Sequence, residues 1–227
     1  MKQFYVIIPI MERLIVLDTE TTGIDPKEGH RIIEVGAVEI SKREITTSEF
    51  HKYVQPNRNV GDSVNIHGIT DKFLINKPQF EQISDDLLSF IDGATLIIHN
   101  APFDLGFLNN ELKIIGNKKK IEDLCPVIDT LVLSKEQRPG TMHNLDALCR
   151  RFGVDTSART RHGALLDAQI LAQVYIAMTG GQSNLFQETK SNESELTDPS
   201  LIKKNIANRE KIKVILANKD EIELHNN

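Results

Sequence analysis

The order of apolar patterns constrains this chain most: β-rich segments come first, and strands alternating with helices follow. Leu14–Asp18 is a short buried run, read as the first strand. "RIIEVGAVEI" (Arg31–Ile40) and "ITTSEFHKYVQP" (Ile45–Pro56) are rich in β-formers, and the polar stretch Ser41–Glu44 between them predicts a hairpin. His67–Thr70 reads as a loop. The period then changes. Phe80, Ile83, Leu87, Phe90 and Ile91 recur near helical spacing within Pro78–Asp92, and Gly93 is a stop. Ala94–Asn100 predicts a buried strand. Pro102–Ile115 predicts a helix with proline in its first turn and Gly116 at its end. Asn144–Phe152 and Gly163–Met178 predict two more helices. Antiparallel strands followed by strand–helix alternation imply an α/β domain on a mixed sheet flanked by helices, spanning residues 11–181.

Within that pattern the acids stand in unusual places. "VLDTETTG" closes the first buried run with Asp18 and Glu20. Two residues apart on a strand, they point to one face. Like charges held that close raise one another's pKa unless a cation or a proton sits between them. Asp104 falls in the first turn of its helix, where the bland reading is an acid stabilised by the helix dipole. Asp167 sits among Leu165, Leu166, Ile170 and Leu171, where an acid is costly unless paired, metal-bound or exposed. His162 precedes it by five residues, about 140° apart on one continuous helix. The two converge more easily if His162 lies in the polar loop before the helix.

Together these residues favour metal chemistry over a solvated surface. Several carboxylates offer hard oxygen ligands, which suit Mg²⁺ or Mn²⁺ rather than zinc. A pair of such ions can activate water and stabilise both oxygens in phosphoryl transfer. A nearby histidine can take the proton from the attacking water. The net charge of −5 argues against a protein that grips nucleic acid by charge alone. Metal ions, local contacts or a partner would have to supply that grip.

At these residues the chain resembles a known family. "LDTETTG", "HNAPFD" and "HGALLDAQ" look like the three motifs of the DEDDh 3′-to-5′ exonucleases. The wider likeness is to the family of proofreading epsilon subunits of bacterial DNA polymerase III. "GHRIIEVGAVEI", "VNIHGITDKFL", "NLDALCRRFGVD" and "RHGALLDAQILAQVYIAMTGGQ" support it. The resemblance is close over Leu14–Gln182 and loose in the tail. It implies a ribonuclease H-like fold and two divalent ions, Mg²⁺ or Mn²⁺. Asp18 would bridge both ions, Glu20 and Asp167 would complete the tighter site, and Asp104 would help hold the second. His162 would be the general base. Thr19, Thr21 and Gly23 would line the terminal-nucleotide pocket, with His67 and Asn100 as further candidates. The implied reaction is hydrolysis of the last phosphodiester at a DNA 3′ end, releasing a nucleoside 5′-monophosphate.

The flanks read differently. Residues 1–10 are a candidate N-terminal extension, since a second methionine stands at Met11. "QSNLF" (Gln182–Phe186) resembles a sliding-clamp-binding peptide, with Gln182, Leu185 and Phe186 as its anchors. Gln187–Pro199 holds four acids, one lysine and almost no apolar residue, so residues 182–200 read as clamp motif plus flexible linker. Residues 201–227 regain apolar residues and resemble, in character, the family's tether to the polymerase alpha subunit. A small third core subunit is a further candidate partner. A tether would bring the domain to the primer terminus at high effective concentration, despite its acidic charge.

No apolar run approaches the roughly 18 residues a membrane helix needs. The first ten residues lack a signal peptide's long apolar segment and small-residue cleavage site. Cys125 and Cys149 show neither ligand spacing nor a disulfide framework, which fits reduced thiols in a cytoplasmic protein. Two other readings compete with a proofreading subunit. One is a free-standing exonuclease acting on RNA or single-stranded DNA. The other is a scaffold bridging clamp and polymerase, with catalysis incidental.

Overall fold

The computed structural model describes residues 13–157, 159 and 161–180. Expectations for residues 1–10, 182–200 and 201–227, including Gln182, Leu185 and Phe186, lie outside the described residues. Five strands form one mixed sheet: β1 (Arg13–Thr21), β2 (Ile32–Ser41), β3 (Glu44–Tyr53), β4 (Thr95–Ile98) and β5 (Val127–Asp129). Their order is β3-β2-β1-β4-β5. β1–β2 and β2–β3 pair antiparallel, whereas β4 runs parallel to both β1 and β5. The expected hairpin is present. Lys42 and Arg43 both have positive φ, the tight-turn conformation that matches the twist of the flanking strands.

Eight helices surround the sheet among the described residues: α1 (Val64–His67), α2 (Asp71–Leu74), α3 (Phe80–Ile91), α4 (Ala101–Ile114), α5 (Ile121–Leu124), α6 (Thr130–Gln137), α7 (Leu145–Phe152) and α8 (Ala164–Gly180). Alternation along β1 divides the core. Ile15 and Leu17 pack with Leu96, Ile98, Phe80, Leu87, Phe107 and Leu108 on the α3/α4 face. Val16 joins Val38, Ile97, Ala168 and Leu171 on the α8 face. α8 is apolar on a second side as well, because Ile170, Val174 and Met178 pack against Leu148 and Cys149 of α7.

The first strand is longer than its apolar run. Asp18, Thr19 and Glu20 pair with Gly36, Val35 and Glu34 of β2, and the register shifts only between Glu20 and Thr21. Ladder hydrogen bonds use backbone groups, so polar side chains do not end a strand whose neighbour continues. The region read as a loop at His67–Thr70 is the junction of two one-turn helices. Gly68, at φ 76°, ends α1, and the Thr70 side chain caps α2. Cys125 and Cys149 are both buried free thiols. No helix among the described residues is long and apolar enough to cross a membrane.

Candidate active site

The site forms where the parallel strands β1 and β4 end. Asp18 and Glu20 extend the α8-side row of β1, the row of Leu14 and Val16. Asp167 enters from the first turn of α8. That helix lies directly on β2 because Gly36 opposes Asp18 and has no side chain. A Cβ there would stand 2.2 Å from the Leu165 nitrogen and 2.3 Å from the Ala164 carbonyl carbon. His162 lies in the loop before α8, as convergence with Asp167 requires. Its Nδ1 is 3.1 Å from Asp167 Oδ2. One ligand atom each from Glu20, His162 and Asp167 falls within 4.8 Å of the others, a spacing that could hold a metal ion.

Asp104 arrives from the opposite face of the sheet. It sits in the first turn of α4 and is buried. Thr19, which alternates away from Asp18 and Glu20, donates its hydroxyl to Asp104 Oδ1 at 2.7 Å. The start of α4 is fixed by Asp129 at the end of β5. Its two oxygens accept the backbone N–H groups of Asn100 and Ala101 at 3.0 and 3.2 Å. Asn100 itself adopts φ 65°, an uncommon left-handed conformation for a non-glycine residue.

The electrostatics fit a cation site. Burial, reinforced by the charges of Asp104, Asp167 and Glu20, holds the Asp18 carboxyl well above its ordinary range. Burial, with Asp167, Glu34 and Asp104 nearby, pushes Glu20 up to about 8. Burial pushes Asp104 up to about 7, against the lowering effect of the Thr19 hydroxyl. Carboxylates that resist ionisation together are short of positive charge. The donor set is mostly hard oxygen, which suits Mg²⁺ or Mn²⁺.

The other predicted residues make contacts of their own. The Thr21 hydroxyl donates to the Gly23 carbonyl at 2.6 Å. Gly23 leaves room for the His30 ring, which a Cβ at that position would approach to 2.3 Å and force to move. His67 is buried, and burial lowers its pKa. Its Nδ1 accepts the Ile69 backbone N–H at 3.0 Å, which leaves the proton on Nε2. That Nε2 is buried with no hydrogen-bond partner among the described residues.

Three participants were missed from sequence. Glu34 lies opposite Glu20 and pairs with His51 at 2.7 Å. Asp129 caps α4. Arg159 donates Nε to Asp167 Oδ1 at 2.6 Å and Nη2 to Asp167 Oδ2 at 2.8 Å. The signal for Arg159 was available: a chain that gathers four acids together needs a neighbouring cation, and "ARTRH" supplies arginines beside His162.

Comparison with known proteins decides the family. The exonuclease family of RNase T type matches residues 15–175. The DNA polymerase III subunit epsilon of Haemophilus influenzae is 52% identical over 187 residues, covering 80% of this chain and 73% of that protein. The chain belongs to the DNA polymerase III epsilon family of exonucleases. The Escherichia coli subunit epsilon is 43% identical over 219 residues, covering 94% of this chain and 90% of its own length. The nuclease domain of 3′hExo, a DEDDh family member solved bound to rAMP, superposes with a TM-score of 0.63 at 19% identity, over 75% of this chain and 92% of that one. That likeness carries the ribonuclease H-like exonuclease fold. Membership makes the protein a metal-dependent 3′-to-5′ exonuclease in a proofreading role.

Proposed function

We propose that Asp18, Glu20, Asp104 and Asp167 hold two divalent ions, Mg²⁺ or Mn²⁺, at a DNA 3′ end, with His162 as the base. The observation that carries this reading is the convergence of Glu20, His162 and Asp167 ligand atoms within 4.8 Å. When bound, such ions supply an activated water and stabilise the attacking and leaving oxygens. Asp18, Glu20 and Asp167 would hold one ion, and Asp18 with Asp104 would hold the other. His162 is half-exposed, so its ring can meet water at the mouth of the site and accept a proton from it. Thr19, Thr21, Gly23, His67 and Asn100 surround the terminal nucleotide. The Thr19 hydroxyl is engaged by Asp104, so its part there falls to its backbone.

The DNA end reaches this acidic protein through partners. Residues 201–227 bind the polymerase alpha subunit, and Gln182, Leu185 and Phe186 dock on the sliding clamp. The net charge of −5 supports this, because a tethered nuclease does not need its own electrostatic footprint. Replacing Asp18 and Glu20 with alanine separates the roles. Hydrolysis should disappear while binding to the alpha subunit persists. Full hydrolysis by the folded double variant would refute the site, and loss of alpha binding would refute an independent tether.

A further inference from the structure

Arg159 is nearly buried in the acidic site, with 9% of its side chain exposed. Its fork takes both oxygens of Asp167, at 2.6 and 2.8 Å. Nη2 also donates to His162 Nδ1 at 2.8 Å, and Nη1 pairs with Asp146 of α7. One guanidinium therefore occupies an acid and the histidine that the proposed metal centre needs. Bidentate charge-assisted bonds of this kind are strong and geometrically specific. A divalent ion bound by Asp167 must take one of the same oxygens, and two cations on one carboxylate edge repel at close range. The two arrangements compete. Asp146 is 56% exposed and lies outside the cluster, so it can keep the guanidinium after Asp167 changes partner.

We propose that Arg159 is a resident counter-cation of the site, which a divalent ion displaces from Asp167 and His162 while Asp146 retains it. This inference rests on the metal-centre reading and adds to it. Arg159 then sets the metal affinity by competition, and metal entry frees the His162 lone pair at Nδ1. It acts as a positioning residue, through Asp167 and His162.

The test is binding of Mn²⁺ to the full chain by calorimetry, for wild type, Arg159→Lys and Arg159→Ala. A competitor of this kind predicts tighter binding by about tenfold in the alanine variant, within the usual span of coupling between two ligands. Lysine keeps the charge without the fork and should fall between. A second readout follows arginine Nε–H resonances by NMR as Mg²⁺ is added. Arg13, Arg31 and Arg159 each donate Nε to a carboxylate, at 2.6, 2.7 and 2.6 Å. The Arg159 signal, identified by its loss in Arg159→Lys, should shift or broaden while the other two hold. Metal binding with the Arg159 signal unmoved, or with equal or weaker affinity in the alanine variant, would overturn this inference alone. No binding by any of the three proteins would overturn the metal reading and this inference with it.

Discussion

The Thr19 hydroxyl reaches Asp104 Oδ1 at 2.7 Å, joining residues 85 apart in sequence and on different layers of the fold. It is a buried bond. A threonine-to-valine change keeps the shape and removes the donor. Thr19→Val should destabilise the protein by about 1–3 kcal/mol, the usual cost of leaving a buried polar group unsatisfied. It should also weaken metal binding, because Asp104 loses the bond that favours its ionised form. Urea denaturation and Mn²⁺ titration of the same variant check both effects.

Gly36 is where the sheet admits α8. With a Cβ 2.2 Å from backbone at Leu165, Gly36→Ala must lift the first turn of the helix, and Asp167 with it. Overpacking costs about 1–3 kcal/mol. The exonuclease rate should fall well beyond what that loss explains, because the folded fraction itself carries a displaced acid. Rates measured at low temperature, where the variant is fully folded, separate the two effects.

Glu111 is a contrasting case, structural rather than catalytic. It is buried, receives Arg31 through two bonds at 2.7 and 2.6 Å, and accepts the Ile32 backbone N–H at 3.2 Å. Glu111→Ala leaves the partly exposed Arg31 guanidinium and the Ile32 N–H without their acceptor and should cost about 1–3 kcal/mol. It should leave the rate of the folded enzyme nearly unchanged, as chemical denaturation and low-temperature assays would show.

The raised carboxyls set a pH dependence in the presence of chelator. Glu20 goes from an ordinary 4.5 to about 8, and Asp104 from 3.8 to about 7. In this window the folded state binds more protons than the unfolded state, so stability falls as pH rises. The contribution is fully present below the ordinary values and is lost as pH climbs through about 7 to 8. Melting temperature in chelator should therefore decline from pH 5 to pH 8, by roughly several degrees for each kcal/mol lost. Saturating Mg²⁺ should flatten that decline by stabilising the ionised forms.

His162→Asn should lower kcat by about 10²- to 10⁴-fold, the usual contribution of a positioned base. The protein should remain folded and still bind metal, since the four acids are untouched. Calorimetry alongside single-turnover kinetics checks this.

Much of the fold was legible because its elements advertise themselves. The β2–β3 hairpin, α3, α4, α7 and α8 carry clear periodicity and stops. β5 has only the three residues Val127–Asp129, too few to show alternation. α1, α2 and α5 are four residues each, below the length at which a helical period can be seen. The acids and His162 stood out because charge beside apolar runs is costly. Thr19 was picked out as a pocket residue, but its bond to Asp104 was not legible, and neither was the grip of Arg159 on Asp167, because only the folded chain brings those partners near. Asp129 escaped notice because its strand did.

The most direct test of the metal centre is product release from a primer-template with a mismatched, 3′-labelled end. A metal-dependent site predicts label released as nucleoside 5′-monophosphate in Mg²⁺, arrested by chelator and restored by excess metal. Release that continues unchanged in chelator, or none from folded protein supplied with metal and its polymerase partner, would contradict it.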